Sequence, residues 1–258
     1  NGYYMHVVSF FVNQDVGDYD KTITRLREVN PESPDPREDK FGVRLTERGK
    51  RYIKYTVGVG VMETPFFLLA DLVARWSGGK YAVDGWSLPY TFIVGLATIC
   101  YVLLGFFLLM RVLDKYFSRR IVTLIVVTIA FATNLFFFST YIAMAHGFLF
   151  FDYCLLIFLT DRFYEKPSLG RAAGIGATVG LIALTRVPEI VSVMIPVLWG
   201  IKNWADFKGR LQFFLKNIPV LALAALGFLG VFSLQIAYWY YVSGHLVFNP
   251  YACEGFDF

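Results

Sequence analysis

Five long stretches of the chain are almost wholly apolar: Leu88 to Met110, Ile121 to Thr140, Ile142 to Thr160, Ala172 to Ile201 and Ile218 to Ser243. A helix needs about 20 mainly apolar residues to cross the hydrocarbon core of a bilayer, so most of these are long enough. They lack the polar face that a helix on the exterior of a water-soluble domain presents to solvent. The pattern predicts an all-α fold, a polytopic transmembrane helix bundle over residues 88–243.

The polar punctuation orients that bundle, because short cytoplasmic loops accumulate Lys and Arg. Arg111, Lys115, Arg119 and Arg120 follow the first stretch, and Arg162, Lys166 and Arg171 follow the third. Lys202, Lys208, Arg210 and Lys216 precede the last. The Tyr141 junction and the tail from Gly244 to Phe258 carry neither residue type. Basic loops therefore face the cytoplasm, and the junction and the tail, residues 244–258, face the exoplasmic side.

Both ends of the stretch from Ala172 to Ile201 then lie on the cytoplasmic side. Thr185-Arg186-Val187-Pro188-Glu189 stands at its middle. Proline removes a helical hydrogen bond and disfavours helix in the residue before it. Each half is about 14 residues, or ~21 Å at 1.5 Å per residue, which reaches part-way across a bilayer. A re-entrant hairpin near residues 172–201 is expected, with a single tilted, proline-kinked helix as the alternative.

Residues 1–87 differ in character. Residues 1–55 hold 10 of the 24 Lys and Arg and 9 of the 20 Asp and Glu. Asn30-Pro31-Glu32-Ser33-Pro34-Asp35-Pro36-Arg37 reads as a polar loop. Val57 to Trp76 is apolar but interrupted by Glu63, Pro65 and Asp71, which suits a helix lying in the membrane interface. Residues 1–87 are thus expected to form one large exoplasmic loop carrying interfacial helices, a natural place for a site.

Composition narrows the class further. Hydrophobic residues make up 56% and aromatics 18%, with mean hydropathy +0.52, above the mix of a soluble globular protein. The net charge of +4 comes from residues at the ends of apolar stretches and forms no stripe, so no nucleic-acid partner is expected. Cys100 and Cys154 sit within apolar stretches and Cys253 near the end, with no paired spacing. No His, Asp and Glu spacing resembles a ligand set, so no metal and no cofactor is expected. No signal-peptide pattern is visible. The chain begins at Asn1 and stops at Phe258, and it reads as a fragment of a longer protein with at least one span before Asn1.

Ionisable groups inside a membrane are costly, so each is a functional candidate until it is paired. Arg186 and Glu189, at i and i+3 around Pro188, either neutralise one another or present a guanidinium fork to an anionic headgroup. His146, near the exoplasmic end of its stretch and following Asn134 on the previous one, is either an interfacial hydrogen-bonded side chain or a substrate contact. Asp152 lies deeper and is expected to pair within the bundle. Lys54 immediately precedes the interfacial segment, where a lipid-borne phosphate would arrive. Asp15, Asp18 and Asp20 supply carboxylates in the loop. Gly170, Gly174, Gly176 and Gly180 follow no strand and lack nucleotide-loop spacing; small residues four apart serve helix packing in membranes.

Several segments in order resemble the GT-C superfamily of integral-membrane glycosyltransferases, especially bacterial relatives of protein O-mannosyltransferases and aminoarabinose transferases. The carriers are Asn1-Gly2-Tyr3-Tyr4, Lys54-Tyr55-Thr56-Val57-Gly58 running on to Pro65-Phe66-Phe67-Leu68-Leu69, and Asp84-Gly85-Trp86-Ser87-Leu88-Pro89-Tyr90. Thr133-Asn134-Leu135-Phe136, Ala145-His146-Gly147-Phe148 and Thr185-Arg186-Val187-Pro188 continue the likeness. The resemblance implies transfer of a sugar from a polyprenyl-phosphate carrier to a protein, lipid or glycan acceptor, on the periplasmic or exoplasmic face of a bacterial inner membrane. It implies phosphate contacts at Lys54 and Arg186, with Tyr3, Tyr4, His146 and Glu189 around the substrate. Family members carry a catalytic acid just ahead of the aromatic pair, where this chain starts with Asn1. That acid is expected upstream of Asn1, with Asp15, Asp18 and Asp20 as fallbacks.

Two other classes compete. A transporter or flippase for a lipid-linked substrate would show internal repeats and paired broken helices, whereas one broken segment and no repeat are visible. A non-catalytic subunit of an envelope complex would keep the helices and lack the acid.

Overall fold

The computed structural model describes residues 2–32, 35–38, 42–140 and 144–251, and the fold is mostly helical, at 72%. In order the elements are α1 (Gly2–Val8), a π-helical turn (Ser9–Asn13), α2 (Asp20–Val29), β1 (Val43–Leu45), β2 (Arg51–Ile53) and α3 (Gly58–Trp76). They continue with α4 (Leu88–Gly95), α5 (Ala97–Leu113), α6 (Arg119–Phe131), α7 (Leu135–Thr140), α8 (Ala145–Glu165) and α9 (Leu169–Thr185). A 3-10 helix (Val187–Val193), α10 (Met194–Leu198), α11 (Trp204–Lys216) and α12 (Ile218–Ser243) complete the chain. Among the described residues two helical segments, Leu88–Leu113 and Ile218–Ser243, are long and apolar enough to cross a membrane. Only 6% of the most apolar window of α12 is buried, so its apolar side chains face outward.

The remaining stretches divide for local reasons. Ile121 to Thr140, expected as one apolar run, breaks between α6 and α7. There the Thr133 hydroxyl donates to Ile129 O and accepts from the Leu135 amide, and Asn134 O accepts from Phe138 N. Short polar side chains compete with the helical ladder in this way. Helix α8 has 21 residues but carries Asp152, Asp161, Arg162 and Glu165.

Contacts divide the chain into two units, residues 1–97 with 234–258, and residues 98–233. The contact boundaries fall at 97 and 234. In the first unit, Tyr90 and Val94 of α4 join Tyr4, Val7, Val8 and Phe67 in one apolar core. The end of α12 is tied in by Gln235, whose Oε1 accepts from Val57 N at 2.9 Å, and by Tyr238, whose hydroxyl accepts from Ile53 N at 2.9 Å. The β1–β2 hairpin pairs Val43 with Ile53 and Leu45 with Arg51. The tail then returns to it: the Tyr52 hydroxyl donates to Pro250 O, and the Tyr52 ring meets Phe248 edge-on at 4.9 Å. The Thr46 hydroxyl donates to Val242 O at 2.9 Å. Glu254 and Cys253, like Asn1, Ser33 and Tyr141, lie outside the described residues.

In the second unit, α9 ends where Arg186 turns extended (φ −149°, ψ 115°), and the 3-10 helix folds back against α9. Tyr153 Oη donates to Glu189 Oε2 at 2.6 Å and Tyr164 Oη donates to Pro196 O at 2.7 Å. The segment 187–198 therefore runs alongside α8 in the same direction, and the chain reverses at Arg186. Glycines let α9 and α12 touch backbone to backbone. A Cβ at Gly176 would collide with the carbonyl of Ala224, and one at Gly180 would lie 2.8 Å from Phe228 O. Small residues that permit such approach are the usual device where no hydrophobic effect drives helices together.

Candidate functional site

The reversal at Arg186 gathers the polar groups of one end of the second unit. Proline at 188 withholds an amide and fixes φ, so the chain leaves α9 and restarts as a 3-10 turn with Glu189 in its first turn. Arg186 Nη1 reaches Glu189 Oε1 at 3.4 Å, and the two side chains are 44% and 26% exposed. Glu189's other oxygen takes the shorter bond from Tyr153. His146 packs on Phe138 with centroids 4.4 Å apart and the rings tilted by 36°, and it lies within electrostatic range of both Arg186 and Glu189. So the three residues selected from sequence converge, and Tyr153, which sits in an apolar run, completes the group.

Asp152 makes no pair among the described residues. It is fully buried, and neither carboxylate oxygen has a hydrogen-bond partner among the described residues, against the expectation of a partner in the bundle. The Tyr101 phenol of α5 lies within electrostatic reach of this carboxyl.

The three basic clusters meet at another end of the same unit. Lys115 bridges Asp161 and Glu165, and Arg171 donates to the carbonyls of Arg162 and Lys166 at 2.6 Å each. Arg210 lies 3.8 Å over the Tyr164 ring and donates to Pro196 O and Trp199 O.

The first unit holds a second group. Tyr3 packs on Tyr55 with centroids 4.6 Å apart, and the Lys54 ammonium lies 5.6 Å from the rings of both Tyr55 and Tyr251. Lys54 itself is buried. Aromatic faces hold a cation in this way, so the tail supplies part of its surroundings. Tyr4 points elsewhere. Its hydroxyl donates to Gly85 O at 2.7 Å and its ring sits in the core against Trp86, so Tyr4 is a packing residue and not a pocket wall. Gly85, at φ +79° and with Val8 where a Cβ would stand, makes that contact possible. Asp84 fixes the same turn, accepting from the amides of Trp86 and Ser87 and from Arg25.

Beside this group an apolar cavity of about 510 Å³ is lined by Phe10, Phe11, Val57, Val61, Leu234 and Tyr241, among others. The Lys50 ammonium lies 3.3 Å from the centroid of the ring of Tyr241, one of the lining residues. Of the loop cations Arg48, Lys50, Arg51 and Lys54, sequence reading backed only Lys54 and took most of the rest as solvated surface. It also passed over Glu63. That carboxyl is buried on the inner face of α3, Oε2 has no hydrogen-bond partner among the described residues, and burial pushes its pKa up to about 8. His6 is equally enclosed, between Tyr55 O at 3.0 Å and the Tyr19 hydroxyl at 3.3 Å, and burial lowers it to about 4.

The fallback acids are occupied. Asp15 is buried and accepts from the Ser9 hydroxyl, the Thr22 hydroxyl and the Thr22 amide, fastening the start of α2. Asp18 is exposed and Asp20 half-buried; both pair with Arg51, and Asp20 also with Arg37. Among the described residues no group of three or more His, Cys, Asp and Glu is placed to hold a metal ion.

No family model, no curated protein and no solved structure matches the chain.

Proposed function

We propose that this chain belongs to a polytopic membrane glycosyltransferase that moves a sugar from a polyprenyl-phosphate carrier to an acceptor on the exoplasmic face. The observation that carries the reading is the state of Arg186. An exposed ion pair at 3.4 Å contributes at most about 1 kcal/mol, too little to account for a cation kept at the apex of an apolar hairpin. Tyr153 takes the nearer bond to Glu189 and leaves most of the five guanidinium donors of Arg186 for another anion. A phosphate diester or monoester matches that planar fork. The departing phosphate of a lipid-linked sugar needs such a cation where charge develops, and the acceptor hydroxyl needs a general base. No side chain is assigned as that base, because Asp15, Asp18 and Asp20 are held in other interactions.

The test is sugar transfer by the full-length protein in lipid nanodiscs, using polyprenyl-phosphate-linked sugars as donors. The reading requires transfer that Arg186→Ala abolishes or reduces by at least about tenfold, the value of one charge-assisted contact. Transfer from nucleotide sugars, or unchanged transfer by the variant, contradicts it.

A further inference from the structure

We infer that the second unit carries a binding site for an anionic phospholipid, with an acyl chain in an apolar cleft and the phosphate held at the basic end by Lys216. The cleft, about 460 Å³, is lined by Tyr164 of α8, Gly176 of α9, Val193 and Pro196 of the returning segment, Phe214 of α11 and Ala225 of α12, among others. Its volume falls within the ~300–1,000 Å³ of ligand pockets, and its named walls are aliphatic or aromatic. Along α12 it extends from Val220 to Leu229, or ~14 Å at 1.5 Å per residue, the geometry of a chain lying along a helix.

Charge identifies the occupant. Lys216 is exposed and lies in sequence between Phe214 and Val220, both of which line the cleft. Residues 162–171 and 202–216 carry Arg162, Lys166, Arg171, Lys202, Lys208, Arg210 and Lys216 against only Glu165 and Asp206. Of these, Arg171 and Arg210 are spent on backbone carbonyls and Arg162 pairs with Glu165. Lys202, Lys208 and Lys216 are exposed and form no ion pair among the described residues. Helix α11 also turns Trp204, Leu211 and Leu215 outward, the composition of a helix in the interface beside lipid headgroups. A basic rim over an apolar slot fits an anionic diacyl lipid better than a zwitterionic one, and a free anion would leave the slot unfilled. The inference rests on membrane insertion of α12 and is independent of sugar transfer.

The experiment is native mass spectrometry of the detergent-extracted full-length protein titrated with phosphatidylglycerol, phosphatidylcholine or inorganic phosphate. Phosphatidylglycerol should be retained preferentially and should not be displaced by inorganic phosphate. Lys216→Glu should weaken it by roughly fivefold or more, the contribution of one lysine near an anionic surface. Val193→Trp, which fills the cleft from an exposed wall, should weaken both lipids, whereas Leu226→Trp, exposed on α12 and outside the cleft, should change neither. Equal retention of the two lipids, or equal effects of the two tryptophan variants, overturns the proposal even if sugar transfer is observed. Sugar transfer lost with lipid retention intact leaves it standing.

Discussion

Tyr153 donates to Glu189 at 2.6 Å while Arg186 reaches the same carboxylate only at 3.4 Å, so the phenol and not the guanidinium is its nearer partner. Removing that phenol should redirect Glu189 toward Arg186. Tyr153→Phe is expected to lower stability by about 1.5–3 kcal/mol, the range for a hydrogen bond to a charged group. It should also weaken binding of polyprenyl phosphate, because Arg186 is then drawn into a tighter pair. Thermal unfolding in detergent and ligand titration of the variant measure the two effects separately. Unchanged values for both would remove Tyr153 from the group.

The approach of α9 to α12 can be tested at one atom. Gly176→Ala places a methyl against the Ala224 carbonyl and should cost about 1–3 kcal/mol by overpacking. Gly170→Ala, on the same helix with open space at its Cβ, should be neutral or slightly stabilising, since alanine is the better helix former. Equal apparent melting temperatures for the two variants would contradict the packing described.

Two buried groups in the first unit oppose one another in pH dependence. His6 has its pKa lowered from 6.5 to about 4, so the unfolded chain takes up a proton that the folded chain refuses, and stability falls as pH drops from 6.5 to 4. Glu63 is raised from 4.5 to about 8, so its stabilising proton is fully present below 4.5 and is lost as pH rises to 8. The two slopes offset each other at mildly acid pH, and between 6.5 and 8 only the Glu63 slope remains, about 2 kcal/mol over that interval. Glu63→Gln should flatten the stability profile between pH 6.5 and 8 without abolishing folding. A profile with the wild-type slope would show that Glu63 is not the group responsible.

The three basic clusters converge through Lys115, Arg171 and Arg210, so Ser118 and Asp206 belong to one end of the second unit. Cysteines introduced at 118 and 206 should react with an impermeant reagent from the cytoplasmic side only. A cysteine at Val247, 82% exposed in the tail, should react only from the opposite side. Labelling of 206 and 118 from different sides would rule out a hairpin that returns through the membrane.

Much of this was written in the chain's hydropathy. Apolar length marked α5 and α12, and Pro188 beside Arg186 marked the reversal, because proline acts locally and needs no tertiary context. Small residues at Gly176 and Gly180 foretold close helix contact for the same reason. The break at Thr133-Asn134 was less visible, since hydroxyl competition with the backbone depends on where the side chain turns. Tyr4 misled, because an aromatic residue looks alike in a pocket wall and in a core, and only the bond to Gly85 O separates them. Tyr153 was illegible, since a tyrosine in an apolar run declares no partner 36 residues away. The unit boundaries were hidden too: Gln235 and Tyr238 close the first unit through hydrogen bonds to residues 53–57, and no local pattern announces such long-range pairing.

The most direct measurement for Arg186 is the affinity of the full-length Arg186→Met, Glu189→Gln double variant for polyprenyl phosphate. Removing both charges together avoids leaving one uncompensated, so melting temperature should stay near wild type. Affinity should fall by about tenfold or more, with Arg186→Lys recovering only part because the planar fork is absent. Wild-type affinity in the double variant would mean that Arg186 serves only to neutralise Glu189 and that the phosphate binds elsewhere.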